Sequence, residues 1–205
     1  MGLYDKYILP RVLEFGMSRP QVMRERPRAL AEARGEVLEI GFGTGLNLAS
    51  YPPAVERLVV ADPVEMLAPR VAQRIAAAKI PVSIERADAA VLPFDAGRFD
   101  CVVSTWTLCT IPRVAQSLAE IRRVLKPSGR FLFLEHGLSQ NPRTADWQHR
   151  LDRLHGFFTG GCHVNREIDQ LVAGAGLAIE RVDRFNLAGV PGYMAPHYLG
   201  AAIVA

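Results

Sequence analysis

The stretch Val37-Leu38-Glu39-Ile40-Gly41-Phe42-Gly43-Thr44-Gly45-Leu46-Asn47 carries an apolar strand into three glycines at alternate positions, ahead of an expected helix. Glycines in such a loop let the backbone turn tightly and approach a ligand with no Cβ in the way. A dinucleotide site wants the last glycine one position later, so that the helix start receives a pyrophosphate, and position 46 is Leu. A triphosphate-binding loop needs a Lys followed by Ser or Thr, and this loop has neither. What remains is a nucleoside ligand without a pyrophosphate. Asp62 ends the next strand roughly 20 residues on, where a carboxylate accepts both hydroxyl protons of a ribose. Followed by Pro63, it is equally suited to capping a helix. Asp88, flanked by Ala89, stands where the following strand end would offer a carboxylate to an adenine amino group.

Glu135 and His136 end the fifth strand, and ligands of open parallel sheets bind beyond the carboxyl ends of the strands. His changes charge most easily near neutral pH, so His136 is the candidate for proton transfer. His155, His163 and His197 are weaker candidates, and with no carboxylate set beside them no metal site is expected. Cys101, Cys109 and Cys162 are unevenly spaced without a CxxC pair, which matches neither a disulfide framework nor zinc-ligand spacing. Trp147, Leu154, Phe157 and Phe158 follow the fifth strand and suit either an apolar lid over a small acceptor or plain packing of that segment onto the sheet.

The elements that must position these residues follow from periodicity. Short apolar runs at Val37–Ile40, Arg57–Ala61, Val82–Glu85, Phe99–Ser104 and Arg130–Glu135 read as buried strands, with helical patterns over Glu65–Ala78 and Arg113–Leu125 between them. Lys126-Pro127-Ser128-Gly129 is expected to stop the second helix. A helix at Arg166–Ala173 and apolar runs at Ala178–Val182 and Tyr198–Val204 close the sheet as an antiparallel hairpin. The fold expected is α/β, a Rossmann-like doubly wound sheet, mostly parallel, with helices on both faces. One domain is expected over the 205 residues. Within it, 1–34 form a helical lid broken near Pro20 and Pro27, 35–136 the cofactor-binding core, and 137–205 the acceptor-side insertion and closing strands.

With 24 basic against 21 acidic residues and a net charge of +3, bulk charge does not point to nucleic acid. Arg19, Arg24, Arg26, Arg28 and Arg34 crowd before the first strand, where they form a solvated helix face or meet an anionic ligand or the surface of a membrane. No apolar run reaches bilayer length and no signal-peptide pattern is present, so a cytoplasmic location is expected.

The order Glu39-Ile-Gly-Phe-Gly-Thr-Gly, Asp62, Ala87-Asp88-Ala89, Leu92-Pro93-Phe94, Phe99-Asp100-Cys101-Val102-Val103 and Leu125-Lys-Pro-Ser-Gly129 resembles the class I methyltransferases that use S-adenosylmethionine. That resemblance implies that Glu39, Gly41, Gly43, Gly45 and Asn47 line the methionine portion of S-adenosylmethionine, Asp62 and Pro63 its ribose, Asp88 and Ala89 its adenine, and Thr105 the pocket floor. S-adenosylhomocysteine would be the product. Phe42 departs from the smaller residue or Cys common at its position. Downstream, Glu135-His136, Trp147, Gly161-Cys162, Arg166-Glu167 and Pro196-His197 resemble the methyltransferase-like thiol S-methyltransferases and their bacterial relatives. This second likeness implies a small apolar thiol as acceptor, with Arg166 or a protonated His136 favouring the reactive thiolate. A quinone-precursor carbon, a phospholipid amine, or cofactor binding without turnover are the competing readings.

Overall fold

The computed structural model describes residues 4–205. Its centre is a seven-stranded sheet in the order β3-β2-β1-β4-β5-β7-β6. The strands are β1 (Gly35–Ile40), β2 (Val55–Ala61), β3 (Val82–Glu85), β4 (Phe99–Thr105), β5 (Leu125–His136), β6 (Leu177–Asn186) and β7 (Pro196–Val204). The first five pair in parallel, and β7 runs antiparallel to both β5 and β6. The expected mostly parallel sheet with a closing antiparallel pair is therefore what forms.

Alternation along each strand assigns the two faces. Leu38, Ile40, Val59, Val102, Phe131 and Phe133 pack in one cluster with Leu118, Ile121 and Val124 of α5 (Val114–Val124) and Ile168 and Val172 of α7 (Ile168–Gly174). Their neighbours Val37, Leu58, Val60, Cys101, Val103 and Leu132 point the other way, onto Leu30 of α3 (Glu25–Leu30) and Val71 of α4 (Ala68–Ala76). Both faces are covered, which is why these strands read as continuous apolar runs.

Ahead of the sheet, α1 (Leu9–Met17), α2 (Pro20–Met23) and α3 succeed one another after a π-helical turn at Tyr4–Ile8. Pro27 has no N–H to give the Met23 carbonyl, and the helical run is interrupted at Arg24, one turn before the proline. Three local expectations need correction. After the glycine loop only a 3-10 turn forms, Leu48–Ser50, because Pro52 and Pro53 follow at once and cannot donate to a helix. α4 starts at Ala68, later than Glu65, because Leu67 takes a left-handed backbone with φ 45°. β5 begins at Leu125: the 126–129 segment joins it as an irregular stretch between the Phe99–Leu125 and Cys101–Arg130 pairs. The segment after β5 holds α6 (Pro142–Phe158), whose N-terminus is capped by the Asn141 side chain accepting from Arg143 and Thr144 N–H.

Candidate active site

The glycine loop lies at the carboxyl end of β1, beside the ends of β2 and β4. Gly41 has φ 75°, and a Cβ there would lie 2.2 Å from the Thr107 side chain, so only glycine fits. A Cβ on Gly43, φ 56°, would meet nothing within 4 Å, so this stretch of backbone borders open space. Gly45 also has positive φ, 78°, and lies against the Phe42 ring. That ring is buried in the cluster beneath the loop, which accounts for the large residue at position 42.

Asp62 ties the loop to β2. Its Oδ2 accepts from Gly43 N–H and its Oδ1 from Val64 N–H, each at 2.9 Å. The Val64 bond is the turn-capping role foreseen for an Asp before Pro63, and each oxygen keeps a lone pair for a further donor. Burial raises the Asp62 pKa above the usual carboxylate value, against the pull of those backbone N–H groups. Asp88 is half exposed, accepts from Ala90 N–H at 2.8 Å and pairs with Arg113 at 2.7 Å, and these two partners hold its pKa low. Ala89 is buried in the core cluster beside it, and Pro63 is exposed.

Behind the loop runs a buried polar network. Asn47 donates to Glu39 Oε1 and to Thr105 Oγ1, both at 2.9 Å, and Tyr51 donates to Glu39 Oε2 at 2.7 Å. Burial pushes the Glu39 carboxyl up to about 7 in spite of the Tyr51 hydroxyl, the Asn47 amide and the charge on Arg26. Arg26 was named only as one of a basic cluster suited to a solvated helix face or an anionic ligand, with nothing to single it out from its neighbours. It is 4% exposed, donates from Nη1 to Asn47 Oδ1 at 2.6 Å, and stacks over the Trp106 ring at 4.9 Å. Burial lowers its pKa to about 10, so it stays charged at neutral pH, yet its Nε has no partner among the described residues. From α1, Glu14 accepts from Thr44 Oγ1 in the loop and from Arg70 and Arg74 at 3.1 and 2.6 Å, while Arg74 also donates to the Thr44 carbonyl at 2.6 Å. The segment before the sheet thus reaches the loop with two buried charges.

S-adenosylmethionine fits this cradle: the backbone at Gly43 borders open space, Asp62 has acceptor capacity to spare, and Arg26 offers a buried cation with an unused N–H.

On the acceptor side, Glu135 is fully buried at the end of β5. Its Oε1 accepts from Ser104 Oγ at 2.8 Å and from the N–H groups of Thr107 and Leu108 at 3.0 Å, and Oε2 takes the longer Cys109 N–H at 3.4 Å. Burial and the adjacent Cys109 push its pKa up to about 8 against those donors. Its acceptor capacity goes into folding the 107–109 turn. Arg166 braces the same turn, donating to the carbonyls of Leu108 and, at 2.9 Å, Ile111; burial lowers its pKa.

That turn delivers Cys109 to His136. Cys162, after α6, completes the group: its thiol donates to Cys109 Sγ at 3.3 Å and its sulfur lies 2.9 Å from His136 Nε2. All three are buried. The Cys162 hydrogen bond makes Cys109 the more acidic thiol and Cys162 the less acidic. Burial disfavours the His136 imidazolium, but the Cys109 sulfur outweighs it and raises the pKa. Around His136 stand His155 and His197, with ring centroids at 6.3 and 6.1 Å. His197 is fixed as a neutral ring, with Nδ1 donating to the Ala195 carbonyl at 2.8 Å and Nε2 accepting from Trp106 Nε1 at 2.9 Å; burial drops its pKa to about 4. Trp106 holds a left-handed backbone, φ 51°, a strain of the kind that gathers at functional sites.

A cavity of about 300 Å³ opens beside His155, lined by Leu151, Leu154, Phe158, Thr159, Tyr193 and Met194. Of the aromatic and apolar residues singled out in this segment, Leu154 and Phe158 line it, and all four, Trp147 and Phe157 included, are more than half exposed rather than packed on the sheet. His163 pairs with Asp152 at 2.8 Å.

The methyltransferase domain family model matches residues 38–133. A demethylmenaquinone methyltransferase of Deinococcus radiodurans is 32% identical over 165 residues, 77% of this chain and 67% of that one. A human thiol S-methyltransferase is 32% identical over 136 residues, 64% of this chain and 55% of its own length. Against both, the chain spans between about half and two thirds of the relative. Among solved structures, a Burkholderia thailandensis 1,6-didemethyltoxoflavin-N1-methyltransferase with bound S-adenosylhomocysteine superposes with a TM-score of 0.68 at 19% identity, covering 96% of this chain and 84% of that one. Fold, family model and relatives agree: the chain belongs to the class I S-adenosylmethionine-dependent methyltransferases, and S-adenosylmethionine is its cofactor.

Proposed function

We propose that the protein methylates a small apolar thiol at sulfur. The observation that carries this reading is the apolar cavity ending at His155, whose ring abuts His136 and through it the buried sulfurs of Cys109 and Cys162. Leu151, Leu154, Phe158 and Met194 suit an alkyl or aryl group, and the histidines meet its polar end. Bound S-adenosylmethionine supplies a methyl already activated on a sulfonium, so the protein's main contribution is positioning, an effect of up to roughly 7–11 kcal/mol. Asp62 holds the ribose hydroxyls and Asp88 lies toward the adenine. Arg26 takes the carboxylate of the methionine portion, and α1 to α3 form a lid that Glu14 fastens to Thr44. His136 and the charge of Arg166 favour the acceptor's thiolate; Glu135 is a positioning residue for the turn that carries Cys109. A second reading, methyl transfer to a quinone-precursor carbon, is favoured by the likeness to the Deinococcus radiodurans enzyme, which covers more of both chains.

Leu154→Trp tests the cavity. Filling it raises KM for an aryl thiol about tenfold, roughly 1.4 kcal/mol, and leaves the calorimetric affinity for S-adenosylhomocysteine unchanged. Equal KM values for variant and wild type would overturn the placement of the acceptor.

A further inference from the structure

Cys109, His136 and Cys162 come from three separate elements, the turn after β4, the end of β5 and the segment after α6, yet their donor atoms all lie within 4.8 Å of one another. We propose that they form a three-ligand site for a thiophilic divalent cation, zinc being the physiological one, with a fourth position left open. Two thiolates and one imidazole are a soft donor set that suits Zn²⁺. With Zn–S near 2.3 Å and Zn–N near 2.0–2.1 Å, tetrahedral ligands stand about 3.5–3.8 Å apart. The observed 3.3 Å between sulfurs and 2.9 Å from Cys162 Sγ to His136 Nε2 need to widen by about 0.4–0.7 Å.

Charge balance favours the ion. Binding Zn²⁺ releases two thiol protons, and the two thiolates cancel its charge, so a neutral unit replaces a hydrogen-bonded thiol pair in a site where an unpaired ion would be costly. Around it stand Glu135, which faces Cys109 from β5, Arg166, and the rings of His155 and His197. A second, independent observation points the same way. His136 Nδ1 and His155 Nε2 are both buried without a hydrogen-bond partner among the described residues, and the two rings meet edge to face. A cation on His136 Nε2 fixes the proton on Nδ1, leaving a donor and an acceptor of the kind that outer-shell partners of ligating histidines use. The cavity beside His155 is the route of access. Three protein ligands with one position free is the arrangement of reactive rather than structural zinc sites, and an acceptor thiolate would fill the fourth position; this last step alone rests on the thiol reading above.

The test uses the full chain, stripped with chelator and titrated with Co²⁺ and then Zn²⁺. One equivalent of Co²⁺ with a near-ultraviolet sulfur-to-cobalt charge-transfer band, displaced by one equivalent of Zn²⁺, is expected. Cys162→Ser and Cys109→Ser weaken binding by more than the roughly 100-fold that losing an outer-shell partner costs, while Cys101→Ser, on β4 and outside the cluster, binds as the wild type does. Retained binding of S-adenosylhomocysteine verifies that each variant is folded. A wild-type chain that takes up neither ion, or takes up Co²⁺ without the thiolate band, overturns the site whatever the acceptor is, and so does a Cys162→Ser variant of undiminished affinity. A cobalt spectrum that does not move when an aryl thiol is added overturns only the occupation of the fourth position by the acceptor.

Discussion

At the scale of single residues, the site pairs carboxylates whose surroundings push them in opposite directions. Glu39 is buried and Asp62 partly buried, and desolvation raises both, while Asp88 is exposed and lowered by Ala90 N–H and Arg113. Asp62 could be singled out in the sequence because it directly follows the strand after the glycine loop, and the structure places it there, accepting from Gly43 N–H. Arg26 could not, since burial of one arginine among several is decided by where α3 docks. The Cys109–His136–Cys162 group was equally hidden, with Cys109 and Cys162 lying 53 positions apart and no local spacing rule linking them. If Asp62 holds the ribose as proposed, Asp62→Ala removes two charge-assisted acceptors from it. Its affinity for S-adenosylmethionine should drop by about 1.5–3 kcal/mol, or roughly 10- to 150-fold, by calorimetry. An unchanged Kd would mean that Asp62 serves only its backbone bonds to Gly43 and Val64. His197 gives a pH signature. Between its folded pKa of about 4 and the ordinary 6.5, the unfolded chain binds a proton there that the folded chain refuses, so stability falls as pH falls through that window. The full difference is on the order of 3 kcal/mol. Glu39 and Glu135, raised to about 7 and about 8, act with the opposite sign. The comparison is therefore with His197→Asn: in urea unfolding at pH 7 and pH 4, the wild-type advantage shrinks toward pH 4. An advantage independent of pH would show that His197 is not held neutral.

Among the elements, β1, β2, β4 and β5 were readable because burial on both faces leaves a continuous apolar run, whereas β3, expected as a buried strand, lies at the sheet edge with Ser83, Ile84 and Glu85 exposed. The ends of the elements were less readable. The 3-10 turn at Leu48–Ser50 stands where a helix was expected, as Pro52 and Pro53 outweigh the usual strand-loop-helix succession. The segment before the sheet shows why an element without a sheet role still has a defined place. Glu14 buries its carboxylate among Thr44, Arg70 and Arg74, and those partners lower its pKa against the cost of burial. Glu14→Gln keeps the shape but loses the charge that fastens α1 to the loop. S-adenosylmethionine should dissociate about tenfold faster from this variant, a change of roughly 1.4 kcal/mol, with kcat at saturation unaltered. Stopped-flow displacement giving identical off-rates would remove the lid from the account.

For the whole molecule, the glycine loop proposed to cradle the cofactor lies at the carboxyl ends of β1, β2 and β4, and the residues proposed to serve the acceptor come from the end of β5, the turn after β4 and the segment around α6, so both proposed halves lie at the carboxyl ends of the parallel strands. This division explains why the sequence identified the cofactor and left the acceptor open: the cofactor half is local and motif-like, the acceptor half is assembled from distant segments. Among the described residues, no helix is long and apolar enough to cross a membrane. The central claim is tested most directly by incubating the protein with methyl-labelled S-adenosylmethionine and an equimolar panel of aryl and alkyl thiols, quinols, phenols and amines, and identifying the labelled products by mass spectrometry. The account predicts label on the sulfur of the apolar thiols, with aryl thiols leading. Label on a quinol carbon with none on any thiol would contradict it.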